Sequence, residues 1–101
     1  MLSVPAAHAS EYPPLNPQPA QCTAQVGPSG SWCTYFNPEN PNGRSIDGRY
    51  YKPGTYDSFD RCRSALYANV RSPYDKGQCG ATRVYDGLKN YEYYNLYLRF
   101  K

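Results

Sequence analysis

The sequence predicts a small all-β domain, a sandwich or a barrel, that is stapled by disulfides. Short β-prone runs separated by turn residues indicate the all-β class. Twelve tyrosines stand among 101 residues in which Leu, Ile and Val are scarce, and tyrosine suits half-buried sheet surfaces. Four cysteines point the same way, because so small a core needs covalent support and a disulfide contributes roughly 2–4 kcal/mol.

Three parts are predicted along the chain. Residues 1–9 end in Ala7-His8-Ala9, a small-x-small pattern that indicates the tail of a signal peptide, with a disordered arm as the alternative. Residues 10–21 contain four prolines and predict an extended, mobile leader. Residues 22–101 then form a single disulfide-bonded β domain. No run reaches the roughly 20 apolar residues of a membrane helix, so we expect no membrane span.

Turn residues divide the β domain into short elements. Strands are predicted over residues 32–36, 49–51, 81–85 and 91–100, with turns or loops at residues 27–30, 37–43, 53–54 and 71–80. Residues 64–70 fit a strand or one helical turn, and no window predicts a longer helix. The last run alternates most regularly, as a half-buried strand does. Its two predicted faces are Tyr94, Leu96, Leu98 and Phe100 on one side and Tyr93, Asn95, Tyr97 and Arg99 on the other.

The cysteines are Cys22, Cys33, Cys62 and Cys79. They include no C-x-x-C pair, and the predicted mature chain has no histidine, so we expect no metal site and no catalytic thiol. Three pairings are open, and the shortness of the loops favours Cys22–Cys33 with Cys62–Cys79. A disulfide framework in so short a chain predicts a secreted, extracellular protein.

His8 is the only histidine, and it lies in the predicted signal-peptide tail. Cleavage of the signal peptide would remove this histidine, and with it the Ser-His-Asp and Cys-His arrangements and histidine-based ribonuclease chemistry. Two carboxylate pairs remain, Asp57 with Asp60 and Asp86 with Glu92, and solvated turn positions are their commoner interpretation. We therefore expect a protein that is not an enzyme and that holds no cofactor.

The net charge is +3, and all eleven Lys and Arg residues lie from Arg44 onward. Ordinary solubility charge is the favoured interpretation of this mild basic bias. The alternative is a preference for an acidic partner or a cell surface. So small a charge does not predict nucleic-acid binding.

Three stretches follow one another in an order that suggests a family. Residues 32–36 run into a polar turn that ends at Gly43, residues 82–85 run into residues 86–91, and residues 59–61 lead to residues 64–69 between them. This order resembles the βγ-crystallin-like, peptidase-inhibitor-type secreted proteins of actinobacteria. The resemblance implies two Greek-key motifs packed as a sandwich. The calcium loop of that family is matched only in part: Asp60 and Ser64 fit it, but Phe59 and Arg63 stand at its other key positions, so we expect no calcium site.

The first functional hypothesis is a secreted, monomeric inhibitor of an extracellular enzyme such as a peptidase. A stapled scaffold lowers the entropic cost of binding when it holds a loop in its bound shape. Two polar, proline-stiffened loops, residues 37–44 and 71–78, are the candidates, and plain connections are the alternative interpretation. The predicted binding residues are Asn37, Glu39, Asn40, Arg44, Arg71, Tyr74 and Lys76.

Two further hypotheses stay open. A secreted antimicrobial or toxin-like protein that acts on cell envelopes would explain the basic bias and the tyrosine-rich last strand. A carbohydrate-binding module would use Tyr93 and Tyr97 as an exposed stacking platform, for which cross-strand packing is the competing interpretation. The partner is accordingly an extracellular protein or a cell-surface polymer.

Overall fold

The computed structural model describes residues 13–101, and the predicted signal-peptide tail, residues 1–9, lies outside this part of the chain. Its strands and helix follow in the order β1 (Trp32–Tyr35), β2 (Arg44–Ile46), β3 (Arg49–Tyr51), α1 (Phe59–Asn69), β4 (Tyr74–Asp86) and β5 (Lys89–Phe100). Strand residues account for 42% and helix residues for 12%, which confirms the all-β, disulfide-stapled class.

One three-stranded antiparallel sheet forms the centre of the molecule. Its strand order is β1-β5-β4, and β4 and β5 pair from Tyr74↔Phe100 to Asp86↔Lys89 across a two-residue turn. Gly87 in that turn has φ 60°, a conformation that glycine adopts without steric cost. The strands β2 and β3 form a separate hairpin. Neither sheet has the four strands of a Greek key, so the described residues form a different topology from the one that the resemblance implies.

The helix α1 is the largest departure from the sequence prediction, which allowed residues 64–70 only a strand or one turn. The Oγ atom of Ser58 accepts a hydrogen bond from the backbone N–H of Arg61 at 3.1 Å and so caps the first turn. Cys62 is fully buried against the sheet, and Leu66 packs on the same core. At Gly77 of β4, a Cβ atom would lie 2.8 Å from Leu66 Cγ, so the glycine allows close contact between helix and strand.

Residues 71–80 are not a loop, because β4 begins at Tyr74. The ring of Tyr74 lies with its centroid 5.0 Å from that of Phe100 and joins the core. The guanidinium group of Arg71 donates to the carbonyl of Ala68 at 2.7 Å and caps the end of α1. The predicted binding loop 71–78 is therefore a helix cap followed by a paired strand.

Both faces of β5 are covered. Leu96 and Leu98 face α1 and are fully buried in the core, as the alternation predicts. Tyr97, on the opposite face, is 0% exposed as well. Residues 13–20 lie against the sheet on this side: Gln78 Nε2 donates to the carbonyl of Pro13 at 3.2 Å, and Thr34 N donates to that of Ala20 at 2.9 Å. This part of the predicted mobile leader is thus packed against the folded domain.

The disulfides are Cys22–Cys33 and Cys62–Cys79, which confirms the pairing that the short loops favoured. The first ties the residue directly after the leader to β1, and the second ties α1 to β4. Such a framework is typical of oxidising compartments.

The outer edges of the sheet differ from each other. A parallel bridge from Gln21 to Thr34 covers part of β1, whereas no strand of residues 13–101 pairs with the outer edge of β4. In the same described part of the chain, no helix is long and apolar enough to cross a membrane.

Candidate functional site

A cleft of about 540 Å³ opens between α1 and the segment 37–44. The volume lies within the range of roughly 300–1,000 Å³ typical of small-molecule sites. The helix contributes small side chains to one wall, among them Ser64, Ala65 and Ala68. The opposite wall comes from the loop, and the buried aromatic residues of the lining are Tyr51 and Tyr56.

Two asparagines hold the loop wall in place. Asn37 Nδ2 donates to the carbonyl of Thr55 at 3.1 Å, while its Oδ1 accepts from the backbone N–H of Glu39 at 3.0 Å. Asn40 Nδ2 donates to the carbonyl of Lys52 at 2.8 Å. Backbone bonds from Asn37 N to Gly54 O and from Gly54 N to Asn40 O close the same connection. The first half of the loop is therefore fastened at Asn37 and at Asn40, and local Asx-type bonding shapes its turn.

The outer side of this loop is open to solvent. Glu39 is exposed, and so are the prolines on either side of Asn40, Pro38 and Pro41. Arg44 is exposed at the start of β2, and its Nη2 donates to the carbonyl of Glu39 at 3.1 Å. A loop that is held by inward hydrogen bonds and exposed on its outer side suits a contact surface, because it loses little conformational entropy on binding.

The floor of the cleft is anchored on the main sheet. Tyr56 N and O both bond Tyr94 of β5, at 2.8 Å and 2.9 Å, and the Tyr56 side chain is 6% exposed. Burial, and then the neighbouring Tyr35 and Glu39, raise the pKa of Tyr56 above its ordinary value. Burial also raises the pKa of Tyr51. Both phenols therefore stay neutral and able to donate a hydrogen bond.

The charges around the cleft largely compensate one another. Asp57 forms an ion pair with Arg61 at 3.3 Å, and Asp60 forms one with Arg63 at the same distance. The two carboxylates considered as a catalytic pair are thus each matched with their own guanidinium. All four of these residues lie at the start of α1 or just before it.

The predicted binding residues fall into two groups. The cleft brings together Asn37, Glu39, Asn40 and Arg44, although the two asparagines point inward rather than to solvent. Arg71, Tyr74 and Lys76 lie outside the cleft lining, with Arg71 capping the helix and Tyr74 in the core. The cleft residues of α1 and Tyr56 were not predicted, because no local pattern places a helix opposite this loop.

The predicted aromatic platform is wrong. Tyr93 is 8% exposed and Tyr97 is 0% exposed, so neither ring offers a face to a sugar. Alternation in β5 separates the two faces correctly, but the leader and residues 52–55 cover the second face. Tyr93 and Tyr97 instead pack within the molecule, as the competing interpretation predicts.

The tip of the β4–β5 hairpin exposes apolar side chains that the sequence analysis did not select. Leu88 in the turn is 103% exposed and Tyr85 is 72% exposed. A two-residue turn between two strands, with a leucine inside it, is the signal that could have identified this tip.

Within residues 13–101, no group of three or more His, Cys, Asp or Glu side chains is arranged to hold a metal ion. Comparisons with protein-family models, with curated proteins and with solved structures found no match to this chain.

Proposed function

We propose that the protein is a secreted, non-catalytic binding protein that inhibits an extracellular enzyme, with peptidases as the first class to test. The observation that supports this most is the loop 37–44, which Asn37 and Asn40 fasten from within while its outer side stays exposed. Inhibitors with a preformed contact loop lose little conformational entropy when they bind.

Two further features support the same proposal. The disulfides Cys22–Cys33 and Cys62–Cys79 suit an oxidising, extracellular location. The resemblance of the sequence to peptidase-inhibitor-type secreted proteins suggests the class of target, although the sheets lack the Greek-key order that it implies.

Arg44 is the residue that we expect to enter a specificity pocket of the peptidase. Its side chain is exposed on the loop wall, with one hydrogen bond to the carbonyl of Glu39 in the same loop. Arg71 is exposed too, but it lies outside this loop and donates through two nitrogens to the helix carbonyl of Ala68. An arginine in this role predicts a target with an acidic pocket, since a carboxylate recognises the guanidinium fork with paired hydrogen bonds.

The test is a titration of purified secreted peptidases with the oxidised protein. The panel includes a trypsin-like, a chymotrypsin-like and a subtilisin-like serine peptidase and one metallopeptidase. We expect tight inhibition of the trypsin-like enzyme, and we expect Arg44→Ala to raise the inhibition constant about tenfold or more, as loss of a central interface arginine does.

Arg71→Ala is the matched control, because it removes the same side chain from a position outside the loop. If the protein inhibits none of the four enzymes, the proposal is contradicted. Growth inhibition of bacteria by the pure protein without any enzyme target would favour the antimicrobial hypothesis instead.

A further inference from the structure

The floor of the cleft carries an amide oxygen to which no side chain or backbone group of residues 13–101 donates. Asn40 is 4% exposed, and its Nδ2 faces three carbonyls, those of Tyr51, Lys52 and Thr55, at 2.8–3.4 Å. Three acceptors fix the orientation of the amide, so the Oδ1 atom points away from them. No group of residues 13–101 donates to this oxygen, which lies in the cleft lining.

Tyr56 supplies a second polar group of the same kind. Its side chain is 6% exposed, and its hydroxyl has no hydrogen-bond partner in the described part of the chain. The hydroxyl is not sealed in the core either, because the sole enclosed, unpaired side-chain atom of residues 13–101 is Tyr97 Oη. Tyr56 lines the cleft, so a bound molecule that reaches this hydroxyl can both donate to it and accept from it.

Charge around the cleft favours a neutral occupant. Three carboxylates, Glu39, Asp57 and Asp60, and two guanidinium groups, Arg44 and Arg61, line the cleft. Asp57 is paired with Arg61, and Asp60 is paired with Arg63 outside the lining. An anion therefore meets no excess of positive charge, and a cation meets carboxylates that already have a partner. A neutral molecule that carries many hydroxyls meets no such conflict.

Part of the lining is apolar surface that suits a pyranose ring. Tyr35 is half-buried and lines the cleft with Pro38, and the helix wall contributes the methyl groups of Ala65 and Ala68 beside the polar Ser64. Apolar and aromatic surfaces contact the C–H faces of a sugar, while the few polar groups orient its hydroxyls.

We propose that this cleft binds a neutral oligosaccharide, with Tyr56 Oη and Asn40 Oδ1 hydrogen-bonded to sugar hydroxyls. The proposal goes beyond enzyme inhibition, because it uses the interior of the cleft rather than the exposed outer side of the loop. It also places carbohydrate binding at a different site from the buried pair Tyr93 and Tyr97.

The test is an amide-resolved NMR titration of the full oxidised chain with four neutral trisaccharides, built from glucose, xylose, mannose and N-acetylglucosamine. We expect one of them to shift the amide signals of α1 around Ser64 and of the loop around Asn40. Tyr56→Phe removes one hydrogen bond and should weaken binding about three- to tenfold. Tyr85→Phe, which removes an exposed hydroxyl at the hairpin tip, should leave binding unchanged.

A second variant pair tests the location without touching the core. Ser64→Trp places an indole in the cleft and should abolish binding, whereas Tyr67→Trp alters an exposed helix position outside the cleft lining and should not. The inference is overturned if no trisaccharide shifts the cleft amides at millimolar concentration, or if Ser64→Trp binds normally. A peptide that binds the cleft when no sugar does would overturn it as well. Peptidase inhibition is scored separately with Arg44→Ala, so the two proposals can fail independently.

Discussion

At the scale of single residues, Asn40 has the largest structural role in the candidate site. Its amide nitrogen bonds the backbone of residues 51–55, which lie more than ten positions further along the chain. The sequence shows NPENPNG as a turn and places Asn37, Glu39, Asn40 and Arg44 in it. It does not show which carbonyls the asparagines meet, because those contacts depend on tertiary packing.

Asn40→Ala should therefore lower the free energy of unfolding by about 1–3 kcal/mol, since it leaves buried carbonyls without their donor. The measurement is urea-induced unfolding followed by circular dichroism. Asn42→Ala is the matched control, because Asn42 is exposed in the same loop and should change stability by less than about 0.5 kcal/mol. Equal losses in the two variants would show that the inward bonds of Asn40 do not hold the loop.

At the scale of elements, α1 is the part that sequence reasoning missed. Its residues FDRCRSALYAN include only one fully buried side chain, Cys62, so the apolar stripe that identifies a helix is short. Tertiary contact replaces the missing pattern: Leu66 packs over Gly77, and the second disulfide fixes the helix to β4. Strand β5 was predicted well because strict alternation over ten residues is a local property.

Replacing both Cys62 and Cys79 by alanine should lower the free energy of unfolding by roughly 2–4 kcal/mol. The helix should lose order first, because it has little apolar surface of its own. Circular dichroism and amide exchange measure both effects. The Cys22→Ala, Cys33→Ala pair is the comparison, and it should loosen the leader while helix exchange stays slow. Unchanged exchange of the α1 amides without Cys62–Cys79 would contradict this role of the disulfide.

At the scale of the whole molecule, the local features of the sequence were predictable and the long-range ones were not. The all-β class, the turn positions and both disulfide pairs follow from spacing and composition. The cleft does not, because it forms where α1 meets a loop some twenty residues earlier. The packing of the leader does not follow from the sequence either. It helps to bury the face of β5 that carries Tyr93 and Tyr97.

An interior built on tyrosine should make the protein sensitive to alkali. Burial raises the pKa values of Tyr56, Tyr97 and Tyr94, the last to about 12, from an ordinary value of 10.0. The unfolded chain then releases protons at a lower pH than the folded chain does. Stability from this source is complete below pH 10 and is lost as the pH rises through 12.

Urea unfolding at a series of alkaline pH values, with the ultraviolet absorbance of tyrosinate as a second signal, measures this loss. Tyr94→Phe should reduce the pH dependence, because it removes one of the shifted groups. Titration of every tyrosine near its ordinary pKa in a protein that stays folded would contradict the prediction.

The uncovered edge of β4 has a consequence for how the protein behaves in concentrated solution. Along the thirteen residues of β4, alternate residues turn their amide and carbonyl groups to this edge, and two copies laid antiparallel along it would share one continuous six-stranded sheet. The irregular register between Tyr74 and Lys76 and the charged side chains along the strand oppose such edge-to-edge stacking. The irregular register and the charged side chains of β4 therefore oppose fibril formation. A β4 strand with regular register and fewer charges would lose this protection.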